Sequence, residues 1–177
     1  EGNRVQSQSS GKRGICLLRW IGILLMIGAG ALAGYSESLR LKLRVARLEE
    51  FLRFLQAAET EIRFAGDPLS RILEKHGDSL AFLKECRARM EEGEAFETAW
   101  GRSLKKAAAS GFSSEDVRRL QEFGSGFGVT DTEGQIAHCR LSKELLQAQL
   151  QQARQDEKTK ARLYQMLGGI AAAILLG

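Results

Sequence analysis

Two apolar stretches bracket a polar middle. Residues 15–35, ICLLRWIGILLMIGAGALAGY, carry one charge, Arg19. A helix needs about 20 such residues to cross a bilayer. Trp20 and Tyr35 stand where interfacial aromatics sit. Residues 163–177, LYQMLGGIAAAILLG, hold no charge. As a helix they would be roughly 22 Å long, short of the ~30 Å hydrocarbon core. They form either a span completed by local thinning or by the preceding helix, or a re-entrant or buried segment. A cleaved signal peptide is the rival reading of the first stretch. Lys12 and Arg13 precede it and Ala29-Gly30-Ala31 resembles a cleavage site, but the run is longer than a usual signal core. Gly30 with Gly34, Gly168 with Ala172 and Gly169 with Ala173 repeat a small-xxx-small spacing that lets membrane helices approach closely.

Between these ends the pattern is helical throughout. From 37 to 64 no helix breaker occurs, and Leu41, Val45, Leu48, Leu52 and Leu55 step by four and three, with Ile62 in frame and Glu59 interrupting. That spacing predicts a helix packed along one seam. Gly66-Asp67-Pro68 breaks it, with Asp67 as cap and Pro68 in the first turn of a short helix ending at Gly77. Asp78 is expected to cap a helix to about Glu92, stopped by Gly93. Another is expected from Glu94 to Ala109. Ser113 with Asp116 resembles a capping box and opens a helix ending in the cluster Gly124, Gly126, Gly128. Thr130 with Glu133 is expected to cap the last and longest helix, whose first half offers Ile136, Leu141, Leu145, Leu146 and Leu150 for burial. Residues 151–162 are polar all round and read as a solvated connector. No stretch alternates as a strand would.

The expected architecture is therefore all-α. It comprises a tail at 1–14, a transmembrane helix at 15–35, a helical bundle at 36–150, a polar stalk at 151–162 and a short transmembrane helix at 163–177. The bundle should have about six helices between the two spans.

Composition narrows the function classes. The chain has 177 residues, 44% of them hydrophobic and 27% charged, and a single proline. The net charge of +4 comes from the N-terminal end, in Arg4, Lys12, Arg13 and Arg19, and the middle is nearly neutral. That balance, with 7% aromatics, gives no reason to expect nucleic acid as a partner. Arg40, Lys42, Arg44, Arg47 and Arg53 follow the first apolar stretch, and Arg154, Lys158, Lys160 and Arg162 precede the second. By the positive-inside rule the middle domain faces the cytoplasm. Arg40, Lys42, Arg44 and Arg47 also suit anionic headgroups. Cys16, Cys86 and Cys139 are odd in number and far apart, with no disulfide framework.

Catalytic chemistry finds little support. His138 and Cys139 are neighbours, and adjacent residues on a helix point about 100° apart. There is no HExxH and no paired-cysteine metal motif. The run Gly124-Ser-Gly126-Phe-Gly128 lacks the Lys-Ser/Thr of a phosphate loop and follows a helix, not a strand. No catalytic residue, cofactor or metal is expected.

The segments GAGALAGY, LQAAETEIRFAGDPLSRIL, AFETAW, LQEFGSGFGVTDTEGQ and KARLYQMLGG, in this order, resemble the stage III sporulation protein AB family from residue 15 to the C-terminus. Leu55, Glu59, Glu61, Ile62, Pro68 and Leu69 supply one family pattern; Phe123, Gly124, Asp131 and Gln135 supply another. Phe64, Asp67 and Phe127-Gly128 depart from it mildly, standing where Tyr, Thr and Leu-Gly are common. The segment before Ile15 has no counterpart. The resemblance implies a fold similar to the platform-protein domain of type II secretion and type IV pilus systems. It implies a place in the mother-cell membrane around the forespore, in a secretion-like channel complex required for endospore formation. The implied partners are other stage III proteins, including the cytoplasmic stage III AA ATPase, and membrane lipids, with room for self-association. A membrane-anchored adaptor or signalling module is the alternative.

Overall fold

The computed structural model describes the backbone of residues 9–176 and the side chains of 34–160 with some outside that range. Among the described residues six α-helices follow one another: α1 (Ser9–Thr60), α2 (Leu69–His76), α3 (Ala81–Glu91), α4 (Phe96–Ala109), α5 (Ser114–Gly126) and α6 (Thr132–Leu176). Among the described residues there is no strand. The chain divides into two units. One is the bundle Arg40–Lys158, and the other comprises Glu1–Leu39 and Thr159–Gly177. In that second unit α1 and α6 continue as helices, and Lys160 donates to Glu37 at 2.8 Å. Among the described residues no helix is long and apolar enough to cross a membrane. Many side chains of both expected spans, and residues 1–8 and 177, lie outside the described residues.

In the bundle α1 buries the seam its leucines predict. Leu48 and Leu55 are fully buried and Ile62 nearly so. The stripe is broader than the seam, because Phe51, Phe54 and Ala58 are buried too. The Phe51 ring lies 5.9 Å from Phe82, 6.4 Å from Trp100 and 5.8 Å from Phe123. One aromatic cluster therefore joins α1, α3, α4 and α5, adding directional ring contacts to apolar burial. The helix packs within its own domain along this stripe. It closes in a single π-helical turn, Glu61–Ala65, and Gly66 ends it at φ +61°.

The expected caps are partly redistributed. Pro68, not Asp67, holds the N-cap of α2, and its carbonyl accepts from the amides of Arg71 and Ile72. The Asp67 carboxylate instead accepts from Lys75 at 2.6 Å. Asp78 caps nothing, since Gly77–Ser79 forms a 3-10 turn and α3 starts only after Leu80. The Ser113–Asp116 capping box is present in both directions. At α6 the cap is Asp131, which accepts from the Gly134 amide at 2.9 Å. Thr130 is one residue too early, and its carbonyl takes the Gln135 side chain.

Gly124 lies inside α5, Gly126 is its last residue, and Gly128, at φ +83°, makes the turn that follows. A Cβ on Gly124 would run into the Trp100 indole, and one on Gly126 into the His138 ring. Trp100 is fixed there by donating its Nε1 hydrogen to the Leu120 carbonyl at 2.9 Å. These glycines permit close approach. The bundle also continues past 150, for Ala153 is fully buried and Arg154 donates to Glu49 at 2.7 Å.

Phe51→Ala is expected to cost about 3–5 kcal/mol through the cavity it opens. Phe64→Ala, at a side chain 80% exposed, should cost less than about 0.5 kcal/mol. Urea unfolding of the full chain followed by circular dichroism reads both. Equal effects would refute this assignment of the core.

Candidate functional site

The chemistry of the bundle is concentrated in ion pairs that join helices distant in sequence. The most buried is Arg44 with Asp116. Nε and Nη2 of Arg44 donate to the two carboxylate oxygens at 2.7 and 2.8 Å, and the Asp116 side chain is fully buried. Local sequence explains the placement. Asp116 is the third residue of α5, where its carboxylate also accepts from the Ser113 amide at 2.8 Å. Burial alone would raise the Asp116 carboxyl. The hydrogen bonds from Arg44 and Ser113 outweigh it and hold the group below its usual value. The forked guanidinium matches both oxygens at once, as a lysine would not.

A second hub is Glu59, the residue that interrupts the apolar seam. It is buried, and Arg63 from its own helix, Arg140 at 2.9 Å and Lys143 at 3.0 Å converge on it. Burial again pushes the carboxyl up, and Lys143 and Arg140 bring it down overall. The interruption in the heptad is therefore the point where α1 is tied to α6. A third cluster sits where α1 meets α2. Lys75 bridges Glu61 at 2.9 Å and Asp67 at 2.6 Å, and His76 lies 3.1 Å from Glu61. Lys75, then His76, hold Glu61 down to about 2.

The residues singled out for membrane contact divide between different environments. Arg40 and Lys42 are exposed. Arg44 is committed to Asp116, and Arg47 donates to Glu50 at 2.7 Å and to the Ser110 carbonyl at 3.3 Å. Gly30 is exposed and Gly34 buried, while the side chains at Gly168, Gly169, Ala172 and Ala173 lie outside the described residues.

Other candidates for chemistry are occupied structurally. His138 lies with its Nε2 2.8 Å from the Phe123 carbonyl and stacks on the Phe123 ring. Burial pushes the thiols of Cys86 and Cys139 up to about 12, so neither is a thiolate at neutral pH. Among the described residues no His, Cys, Asp and Glu cluster could hold a metal ion. Among the described residues two grooves stand out. One, of about 460 Å³, runs between α2 and α3 past Arg71, Glu74, Arg87 and Glu91. The other, of about 140 Å³, lies between α5 and α6. Its edge carries Leu141 and Leu145, expected in the core but 55% and 40% exposed. Both share a helix with the buried residues but face away from them, a distinction that listing leucines in order misses.

Comparison with known proteins places this arrangement. The family model described as stage III sporulation protein AB matches residues 19–176. A solved structure titled stage III sporulation protein AB is 22% identical and covers 66% of this chain and 98% of its own, with a TM-score of 0.59. That likeness shows a shared fold. No curated protein matches the chain.

The depressed carboxyls set the acid limb of stability. A carboxyl lowered in the folded state stabilises fully above its unfolded value, about 4, and that stability is lost as pH falls through the folded value. The melting temperature should therefore be flat from pH 7 to about 5 and fall below about pH 4. Asp116→Ala, which leaves Arg44 partly buried without its partner, should cost about 3–5 kcal/mol at pH 7 and flatten that fall. Thermal unfolding of both proteins across this pH range tests it. An unchanged acid limb in the variant would refute it.

Proposed function

The chain belongs to the stage III sporulation protein AB family, and from that premise we propose that it is a membrane-anchored structural platform of the stage III sporulation complex. In this reading the bundle lies on the cytoplasmic side of the mother-cell membrane around the forespore and couples the stage III AA ATPase to the membrane assembly. The observation that carries the anchoring is the fate of the first and last helices. Both run on beyond the bundle, α1 toward the N-terminus and α6 toward the C-terminus. Among their described apolar side chains there, Ile21, Leu25, Leu32, Leu163 and Met166 are 50–71% exposed. Apolar area left in water forfeits about 25 cal/mol per Å², so such side chains call for a lipid environment. Lys and Arg lie on the bundle side of both stretches, in favour of a cytoplasmic bundle.

On this reading Gly30, Gly34, Gly168, Gly169, Ala172 and Ala173 are where the membrane helices pack. Exposed Arg40 and Lys42 meet headgroups, whereas Arg44 and Arg47 serve the bundle. The ion-paired bundle supports a platform role, because transmitting force between an ATPase and a membrane requires a body that does not deform.

Ser114 is exposed at the start of α5 and reports the side of the bundle. A Ser114→Cys, Cys16→Ser chain can keep Cys86 and Cys139, which are buried and unreactive. In intact sporulating cells a membrane-impermeant maleimide should leave Ser114→Cys unlabelled until the mother-cell membrane is permeabilised. The chain should also stay with membranes through an alkaline carbonate wash and retain the stage III AA ATPase. Release by carbonate would remove the anchor. Labelling without permeabilisation would place the bundle on the wrong side to meet a cytoplasmic ATPase.

A further inference from the structure

The outward face of α6 carries a stripe that the fold leaves uncovered. Ala137, Leu141, Leu145, Ala148, Gln152 and Gln155 are all exposed. They step by four, four, three, four and three residues, which sets them along one side of the helix for about 27 Å. No charged residue lies on the stripe, although Arg140 and Glu144 flank it. Beside Leu141 and Leu145 runs the α5–α6 groove, with buried Phe123 and Leu146 beneath. On this flank Arg119 Nε and Gln149 Oε1 are buried without a hydrogen-bond partner. Arg119 Nε is in ion-pair range of Glu115 at 3.4 Å but out of hydrogen-bonding geometry. Buried polar atoms left unmet in this way are costly and call for a partner.

We infer that the stripe is the pairing face for a second copy of the chain, with two α6 helices side by side and parallel. The stripe matches itself position by position in that direction. In a parallel pair Leu141 and Leu145 meet their own counterparts. Gln152 and Gln155 meet theirs, and each amide can both donate and accept. In an antiparallel pair centred on Ala148, Leu141 faces Gln155 and Leu145 faces Gln152, and both matches are lost. The flanks agree. In a parallel heptad frame with Leu145 and Gln152 at one seam position, residue 144 faces residue 149 of the second copy, and 151 faces 156. These pairs are Glu144 with Gln149 and Gln151 with Asp156, so no like charges meet. A two-fold axis doubles every such contact.

This pairing names a partner surface within the bundle and does not depend on which side of the membrane Ser114 reports. The test uses the full chain in membranes with Cys16→Ser and one added cysteine. Under mild oxidation Ala148→Cys and Gln152→Cys should each give a disulfide dimer with a yield about tenfold above Ser114→Cys, since only seam positions hold paired sulfurs in reach. Adding Leu141→Asp and Leu145→Asp should return the yield to the control level while the thermal unfolding temperature stays put, because both side chains are exposed. Yields at 148 and 152 no higher than at 114 would overturn the pairing. So would dimers that form only between Leu141→Cys and Gln155→Cys chains, which would mean antiparallel helices, or crosslinks to a different protein.

Discussion

Asp116 buried beneath Arg44 is the constraint on which the arrangement of the bundle depends. The carboxylate meets two requirements at once. It completes the cap of α5, whose first amides would otherwise lack acceptors, and it neutralises a guanidinium projecting from α1. A forked pair at 2.7 and 2.8 Å tolerates little rotation of either helix. Once α1 is set about its axis, Phe51 must point among Phe82, Trp100 and Phe123, and Glu59 must point at α6. The aromatic cluster and the leucines around it supply the apolar burial. A buried pair of this kind adds little net stability over an apolar isostere and is costly to break on one side, which suits it to holding the two helices in one orientation.

The same economy governs the charges. The middle of the chain is nearly neutral, and its charged residues are repeatedly spent on one another across helices: Glu59 with Arg140 and Lys143, Arg154 with Glu49, Lys106 with Glu85. Exposed pairs of this kind contribute little each. Their value here is that α1 and α6, the two helices that leave the bundle, are tied at several heights. A body tied in this way can carry load between what holds its ends and what meets its sides.

Much of this was legible from the sequence, and the failures share a cause. Helix count, the α1 seam, the breaks at Gly66 and Gly93 and the Ser113–Asp116 box follow from local rules, because each depends on residues a few positions apart. Arg44 read as a membrane-facing cation because its partner lies 72 positions away. Gly124 reads as a helix terminator because the indole it admits belongs to α4. Asp67 and Asp78 read as caps because nothing local reveals that a lysine across the turn takes one carboxylate and a 3-10 turn displaces the other. Tertiary partners overrode local preference in each case.

Leu141 and Leu145 show the same limit from the other direction. Sequence order groups them with Leu146 and Leu150, yet the core takes the latter pair and leaves the former outside. Ordinary helix amphipathicity would put polar residues on the outer face of α6. Instead that face begins with leucine and alanine and continues with glutamines, all uncharged, while a carboxylate such as Glu59 is drawn into the interior. The inversion is economical if α6 serves two cores, one within the chain and one shared. The bundle then fixes the rotation of α6 through Glu59 and Glu49, and that rotation decides which residues a neighbouring helix can meet. The ion pairs that hold the fold thereby also select the face offered to a partner.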